Sequence, residues 1–312
     1  MRILYINNAG IASLILRPLT WHSAARRILL SAIFFSSFAG LSAANWQLVW
    51  SDEFETDGYP DPDKWSYDLG TGQSVGLVGW GNNEAQYYTD RLENARVEDG
   101  RLIIEARKEA MGNSAYTSAR MVTREKGDWL YGRIEVRAMM PAGVGTWPAI
   151  WMLPTDWEYG GWPASGEIDI MEHVGFNMGT VHGTIHTNSF NHMIGTDRGG
   201  SIQVDQVATA FHTYAIEWEP DTIRWYVDDQ EYFEFPRQPH YGPDEWPFDR
   251  RFHLILNIAI GGNWGGQQGI DDSIFPQTME VEYVRVYQRD EDAGGPQIPG
   301  AWIYFLNTPK VD

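Results

Sequence analysis

Short segments that alternate apolar and polar residues recur along residues 46–288, and that rhythm leaves few choices of fold. Residues 131–138 put Ile134, Val136 and Ala138 on one face, and residues 101–107, 212–218, 223–227, 252–258 and 281–287 continue the series. A period of two, filled with β-branched and aromatic side chains, predicts strands. Breaks rich in Gly, Pro and Asp separate them: Asp57-Gly58, Asp99-Gly100, Pro141-Ala-Gly143, Pro220-Asp221 and Asp228-Asp229. The Val-Asp-Asp-Gln stretch at 227–230 predicts a tight hairpin. No long amphipathic segment and no repeat of fixed period interrupts the strands, so the expected class is all-β, a sandwich or jelly roll.

One stretch is rich in carboxylates: Gly166-Glu-Ile-Asp-Ile-Met-Glu-His173. On a regular strand Glu167 and Asp169 share a face, and Glu172, five residues after Glu167, would point the other way. A single extra residue near Ile170-Met171, a β-bulge, returns Glu172 to the carboxylate face and turns Ile168 and Ile170 inward. Three acids on one face repel one another, and a metal or a reaction is the usual reason to keep them. Two Glu side chains leaning toward each other from such positions can bring their carboxyls to the ~5–5.5 Å used by retaining glycosidases. Glu167 then reads as nucleophile and Glu172 as general acid/base, while the charge of Asp169 helps to keep Glu172 protonated. The competing readings are a solvated polar face or a metal site completed by His173, His182 or His186. His173 directly follows Glu172 and should face away, and no His-Glu-x-x-His segment is present.

Composition narrows the partners. A formal net charge of −19 disfavours nucleic acid and anionic membranes and leaves a neutral polysaccharide unaffected. With no cysteine, disulfides, thiolate chemistry and Cys-ligated zinc are excluded. The 15 Trp exceed what a core ordinarily needs, so several are expected to line a groove and stack on sugar rings. Arg26-Arg27, the apolar run 28–38 and the small residues 39–44 resemble a secretory signal. Residues 1–44 are therefore expected to be a signal peptide, 45–290 the catalytic domain and 291–312 a tail. The mature product is expected outside the cytoplasm, secreted or periplasmic, as a monomer free of membrane.

Six stretches in order resemble the laminarinases of glycoside hydrolase family 16, over nearly all of residues 46–288. They are Gly79-Trp-Gly-Asn-Asn-Glu-Ala-Gln-Tyr-Tyr-Thr89, Tyr116-Thr-Ser-Ala-Arg120, Gly145-Thr-Trp-Pro-Ala-Ile-Trp-Met-Leu-Pro154 with Gly161-Trp-Pro-Ala-Ser165, Glu167-Ile-Asp-Ile-Met-Glu172, Val181-His-Gly-Thr-Ile-His-Thr187 and Gly261-Gly-Asn-Trp-Gly265. The bulged Glu-x-Asp-x-x-Glu form is the most specific of them. The resemblance implies a β-jelly-roll of two bent antiparallel sheets with a concave cleft, and endo-hydrolysis of β-1,3-glucan with retention. It implies sugar contacts at Asn83, Arg120, Trp147, Trp151, His182, His186 and Trp264. Of these, Trp147 and Trp151 lie four apart and should share a face, Trp264 should stand exposed in its glycine loop, and Arg120 could instead hold the nucleophile by charge. No cofactor is implied for catalysis. A structural calcium is implied on Glu53, the carbonyl of Gly100 and Glu282, oxygen donors of the kind calcium takes. The last of these is commonly Asp in the family, and the longer Glu is a departure. The alternatives are a non-catalytic β-glucan-binding protein, which would lack the glutamates, a transglycosylase, or a hydrolase of mixed-linkage glucan, agarose or carrageenan.

Overall fold

The structure is a computed structural model that describes residues 46–289. The expected signal peptide and tail lie outside the described residues. No helix among the described residues is long and apolar enough to cross a membrane.

Two large antiparallel sheets form a β-jelly-roll sandwich. The first, which carries the acids, runs in the order Arg198–Gln203, Thr180–His186, Glu167–Glu172, Thr146–Pro154, Phe252–Ile260, Arg120–Val122 and Ser66–Tyr67, with Asp128–Trp129 also on Phe252–Ile260. The second runs Gln230–Pro236, Thr222–Val227, His212–Glu219, Gly132–Met139, Gln277–Gln288, Arg101–Ala106 and Ala95–Glu98, with Gln47–Asp52 also on Gln277–Gln288. Each alternating segment expected from the sequence is a strand, and the helical content is four short 3-10 turns among the described residues.

The period of two determines what each strand buries. Gly132–Met139 alternates buried and half-buried along its whole length, with Ile134, Val136 and Ala138 in the core. Against them pack Ile168, Ile170, Val181 and Ile185 from the acid-bearing sheet. Phe252–Ile260 is buried at all nine positions; on the face that does not meet the core, Trp151 and Tyr88 lie on Asn257 and Thr155 lies on His253. Two hairpins turn on residue pairs with positive φ, Asp99-Gly100 (51° and 72°) and Asp228-Asp229 (48° and 64°), as two-residue turns of right twist require. Part of the tryptophan is structural: Trp65, Trp80, Trp129, Trp218, Trp225 and Trp246 are buried.

Candidate active site

The carboxylate strand has the predicted bulge. Against the neighbouring strand Glu167 pairs with His186, Asp169 with Thr184 and Glu172 with His182, and the register shifts between Asp169 and Glu172. On its other side Met171 faces Ile150 while Asp169 faces Trp151, so Ile170 is the extra residue. Ile168, Ile170 and Met171 are all buried in the core, and the three acids share the opposite face.

A bulge leaves a backbone group without its ladder partner, and here the other sheet supplies one. The Trp225 indole N–H, reaching through the core, donates to the Asp169 carbonyl at 2.8 Å. Gly183 makes this possible: a Cβ there would stand 2.4 Å from the Trp225 ring. The glycine in the Val181–Thr187 motif is therefore a place for an indole rather than a flexible joint.

Each glutamate accepts one indole N–H. Trp162 Nε1 donates to Glu167 Oε2 at 2.9 Å, and Trp147 Nε1 donates to Glu172 Oε1 at 3.1 Å. His186 Nε2 lies 3.3 Å from Asp169 Oδ2 and 3.8 Å from Glu167 Oε1. Glu167 and Asp169 are close enough to share a proton. Burial pushes all three carboxyls well above the usual carboxylate range, and the Asp169 charge raises both glutamates further. His186 and the two indole N–H groups oppose that rise. Three acids this close titrate as a unit, and all three cannot ionise together near neutrality.

Most of the expected contact residues gather here. Trp147 and Trp151 share the carboxylate face, as their spacing predicts. Trp264 packs edge-on against Trp147 and His182, with centroids 5.7 and 5.0 Å away, so it is half-buried rather than freely exposed as its glycine-rich surroundings suggest. The reason is close packing of the loop on the ring: a Cβ on Gly265 would meet Trp147 at 2.7 Å. Asn83 is exposed and donates to Asn263 Oδ1 at 2.7 Å, tying two rim loops together. His173 points away from the acids, fully buried, and accepts from the Gly179 N–H at 3.2 Å.

Arg120, expected as a sugar contact, does not take the alternative role of holding the nucleophile by charge. It pairs with Asp68 at 3.1 Å and lies between the rings of Trp80 and Trp151, 4.5 and 4.6 Å from their centroids. Its reach ends at the platform, one strand beyond the acids. The donors expected for calcium do not fit it as they stand. Glu53 is held by both arms of Arg285, at 2.9 and 2.8 Å, and Glu282 is paired with Arg137. Each carboxylate is thus already neutralised by a guanidinium. Among the described residues the one cluster with metal-ligand spacing is Glu167, Asp169 and His186, whose ligand atoms lie within 4.8 Å of one another.

Trp162 and His192 were not singled out in the sequence. Trp162 is 37% exposed and its ring lies 5.2 Å from that of His192, which in turn lies 5.0 Å from His186. A lone Trp before a Pro, five residues ahead of the first glutamate, was the available signal. On the far side of the acids, His182, Thr184, Asp197, Gly199, Gly200 and Ser201 line a polar trough.

A two-sheet jelly roll with a bulged strand of acids that no Lys or Arg neutralises, set among tryptophans, defines a class, the β-jelly-roll glycoside hydrolases. The family described as Glycosyl hydrolases family 16 matches residues 82–285, and the chain belongs to it. The chain is 59% identical over 253 residues to a "Beta-glucanase" of Rhodothermus marinus, covering 79% of this chain and 86% of that one. It is 40% identical over 270 residues to a "Glucan endo-1,3-beta-glucosidase" of Cryptopygus antarcticus, covering 80% and 94%. The X-ray structure of the laminarinase from Rhodothermus marinus superposes with a TM-score of 0.76 at 58% identity, covering 79% of this chain and 98% of that one.

Proposed function

We propose that this protein is a secreted endo-β-1,3-glucanase that cleaves laminarin-type glucan with retention. The observation that carries the reading is the bulge. It sets Glu167 and Glu172 on one face with Asp169 between them, and no Lys or Arg is paired with any of the three among the described residues. Similarity to proteins named for β-1,3-glucan supports the substrate.

In this reading the Glu167 carboxylate attacks the anomeric carbon while Glu172 delivers its proton to the departing glycosidic oxygen. The C1–O bond breaks, and a glycosyl ester forms on Glu167. Glu172, now ionised, takes a proton from water, whose oxygen attacks C1 and releases Glu167. The Trp162 N–H orients Glu167, and Asp169 can hold the proton that Glu167 must shed to become a nucleophile. Trp147, Trp151 and Trp264 offer apolar planes for sugar rings, and Asn83, His182 and His186 offer polar groups at their edges. Arg120 acts by supporting Trp151.

The test is depolymerisation of laminarin, barley mixed-linkage glucan and agarose by the parent and by Glu167→Ser, following reducing ends and product sizes. Long laminarin chains should shorten quickly with the parent, and kcat should fall by at least about 10³-fold in the variant. Laminarin bound but left intact by the parent would instead make it a binding protein. Cleavage of agarose alone would keep the chemistry and remove the substrate.

A further inference from the structure

Behind the Trp151 ring runs a chain of hydrogen bonds whose direction is dictated at one end. An indole N–H can only donate. Trp151 Nε1 donates to Asn257 Oδ1 at 2.7 Å, which obliges the Asn257 amide to present its NH₂ on the other side. That NH₂ donates to the Tyr88 hydroxyl oxygen at 3.0 Å. With its oxygen occupied as an acceptor, Tyr88 turns its proton to Glu84 Oε2, 3.1 Å away. A second directed input reaches the same oxygen. The Ile260 backbone N–H donates to Gln86 Oε1 at 2.8 Å, so the Gln86 NH₂ faces Glu84 Oε2, at 2.6 Å. Both chains end on Glu84 Oε2, which accepts from each; burial pushes the Glu84 carboxyl up, and the Arg120 charge and these hydrogen bonds oppose that rise. Arg120 in turn is pressed between Trp80 and Trp151.

We propose that Glu84, Tyr88 and Asn257 form a one-way hydrogen-bond relay that sets the rotation of the Trp151 ring within the plane imposed by Arg120, and that Glu84 and Tyr88 are positioning residues for glucan binding. The proposal rests on Trp151 acting as a sugar platform, as in the function proposed above. Arg120 alone leaves the ring free to make a half-turn about Cβ–Cγ, which keeps its plane and moves Nε1 to the other edge. The hydrogen bond at Nε1 removes that freedom, and the relay fixes where the acceptor stands. Pre-setting a binding surface improves affinity, because the ordering is not repeated each time substrate arrives. Asn257 belongs to Phe252–Ile260, the strand buried on both faces, and Glu84 bridges to Gly261 at its end. The relay thereby ties the platform to a strand buried at every position.

The experiment is a double-mutant cycle on laminarin with Tyr88→Phe, Trp151→Phe and the two combined. Tyr88→Phe removes only the hydroxyl of a buried ring, and Trp151→Phe keeps an aromatic face but loses the N–H. Each single variant should raise KM about fivefold to tenfold and change kcat by less than about twofold. The double variant should be no worse than the worse single, because both cut the same chain. Should Tyr88→Phe fold poorly, Glu84→Ala replaces it: the acceptor on which the relay ends is removed, and KM should rise in the parent but not in the Trp151→Phe background. KM effects that multiply, or a lower melting temperature with KM unchanged, would overturn the relay. The parent's rate on laminarin tests the substrate reading separately. Were the parent to cleave a different glucan, the same cycle on that glucan would decide the relay by its non-additivity.

Discussion

Both large sheets carry carboxylates on the face turned from the core, and the two rows are treated in opposite ways. On the second sheet most of the acids meet a guanidinium. Arg133 holds Glu135 at 2.6 Å and Glu217 at 3.0 Å, Arg224 holds Glu219 and Glu234 at 2.9 Å each, and Arg285 holds Glu53. On the first sheet Asp169 is buried and Glu167 and Glu172 are half-buried, and their hydrogen-bond and ionic partners are indole N–H groups and His186, with no Lys or Arg. Matched charges are shelf structure; unmatched buried charges oppose folding and have to be kept for another reason. The contrast identifies the working face without reference to any relative.

The comparison breaks most sharply in activity. Glu172→Gln should lower kcat on laminarin by about 10²–10⁴-fold, the range for loss of a general acid. An aryl glucoside whose leaving group needs no proton should suffer much less. Glu217→Gln, on the paired face, should leave both rates within about twofold. Equal losses from the two substitutions would erase the distinction between the faces.

Stability should divide the other way. Arg133→Ala strands Glu135 and Glu217, and unfolding in denaturant should show a loss of about 1.5–3 kcal/mol, as for hydrogen bonds to charged groups, with kcat unchanged.

The smallest effect concerns pH. Burial pushes Glu172 up to about 8 from an ordinary value of 4.5, with Asp169 raising it further. Between those two values the folded chain holds protons that the unfolded chain has released, so raising the pH favours unfolding. The buried His173 and His253, whose ring protonation is pushed down by burial, act only below about pH 6.5, the ordinary histidine value. Melting temperature should therefore fall from about pH 7 to 8.5, and fall less in Asp169→Asn, which removes one of the three acids. In that variant the alkaline limb of the residual activity should also move to lower pH, because the neighbouring negative charge that keeps Glu172 protonated is gone.

Much of this was legible in the sequence, and the reasons for the rest are local. Ile134, Val136 and Ala138 announced their face by alternation, and the five-residue spacing of Glu167 and Glu172 demanded a bulge. The Arg198–Gln203 strand has no such rhythm: Arg-Gly-Gly-Ser reads as a loop until a strand is there to pair with it. The alternative reading of Arg120, as a cation holding the nucleophile, is not met, because the fold sets Asp68 and two indoles against it. The partners of Trp151 were hidden by distance along the chain, since Tyr88 and Asn257 are 169 residues apart. Glu53 and Glu282 were read as calcium donors, and the arginines that pair with both, Arg285 and Arg137, could not be assigned to them from the sequence.

The reach of Trp225 to the Asp169 carbonyl has a consequence for how the protein ages under heat. The kink that makes the site is clamped from behind by the opposite layer, and Gly183 leaves the clamp no slack. Separating the layers releases the kink, while the kink has little room to relax before they separate. Thermal inactivation should then coincide with cooperative melting, rather than begin earlier as a softening confined to the site.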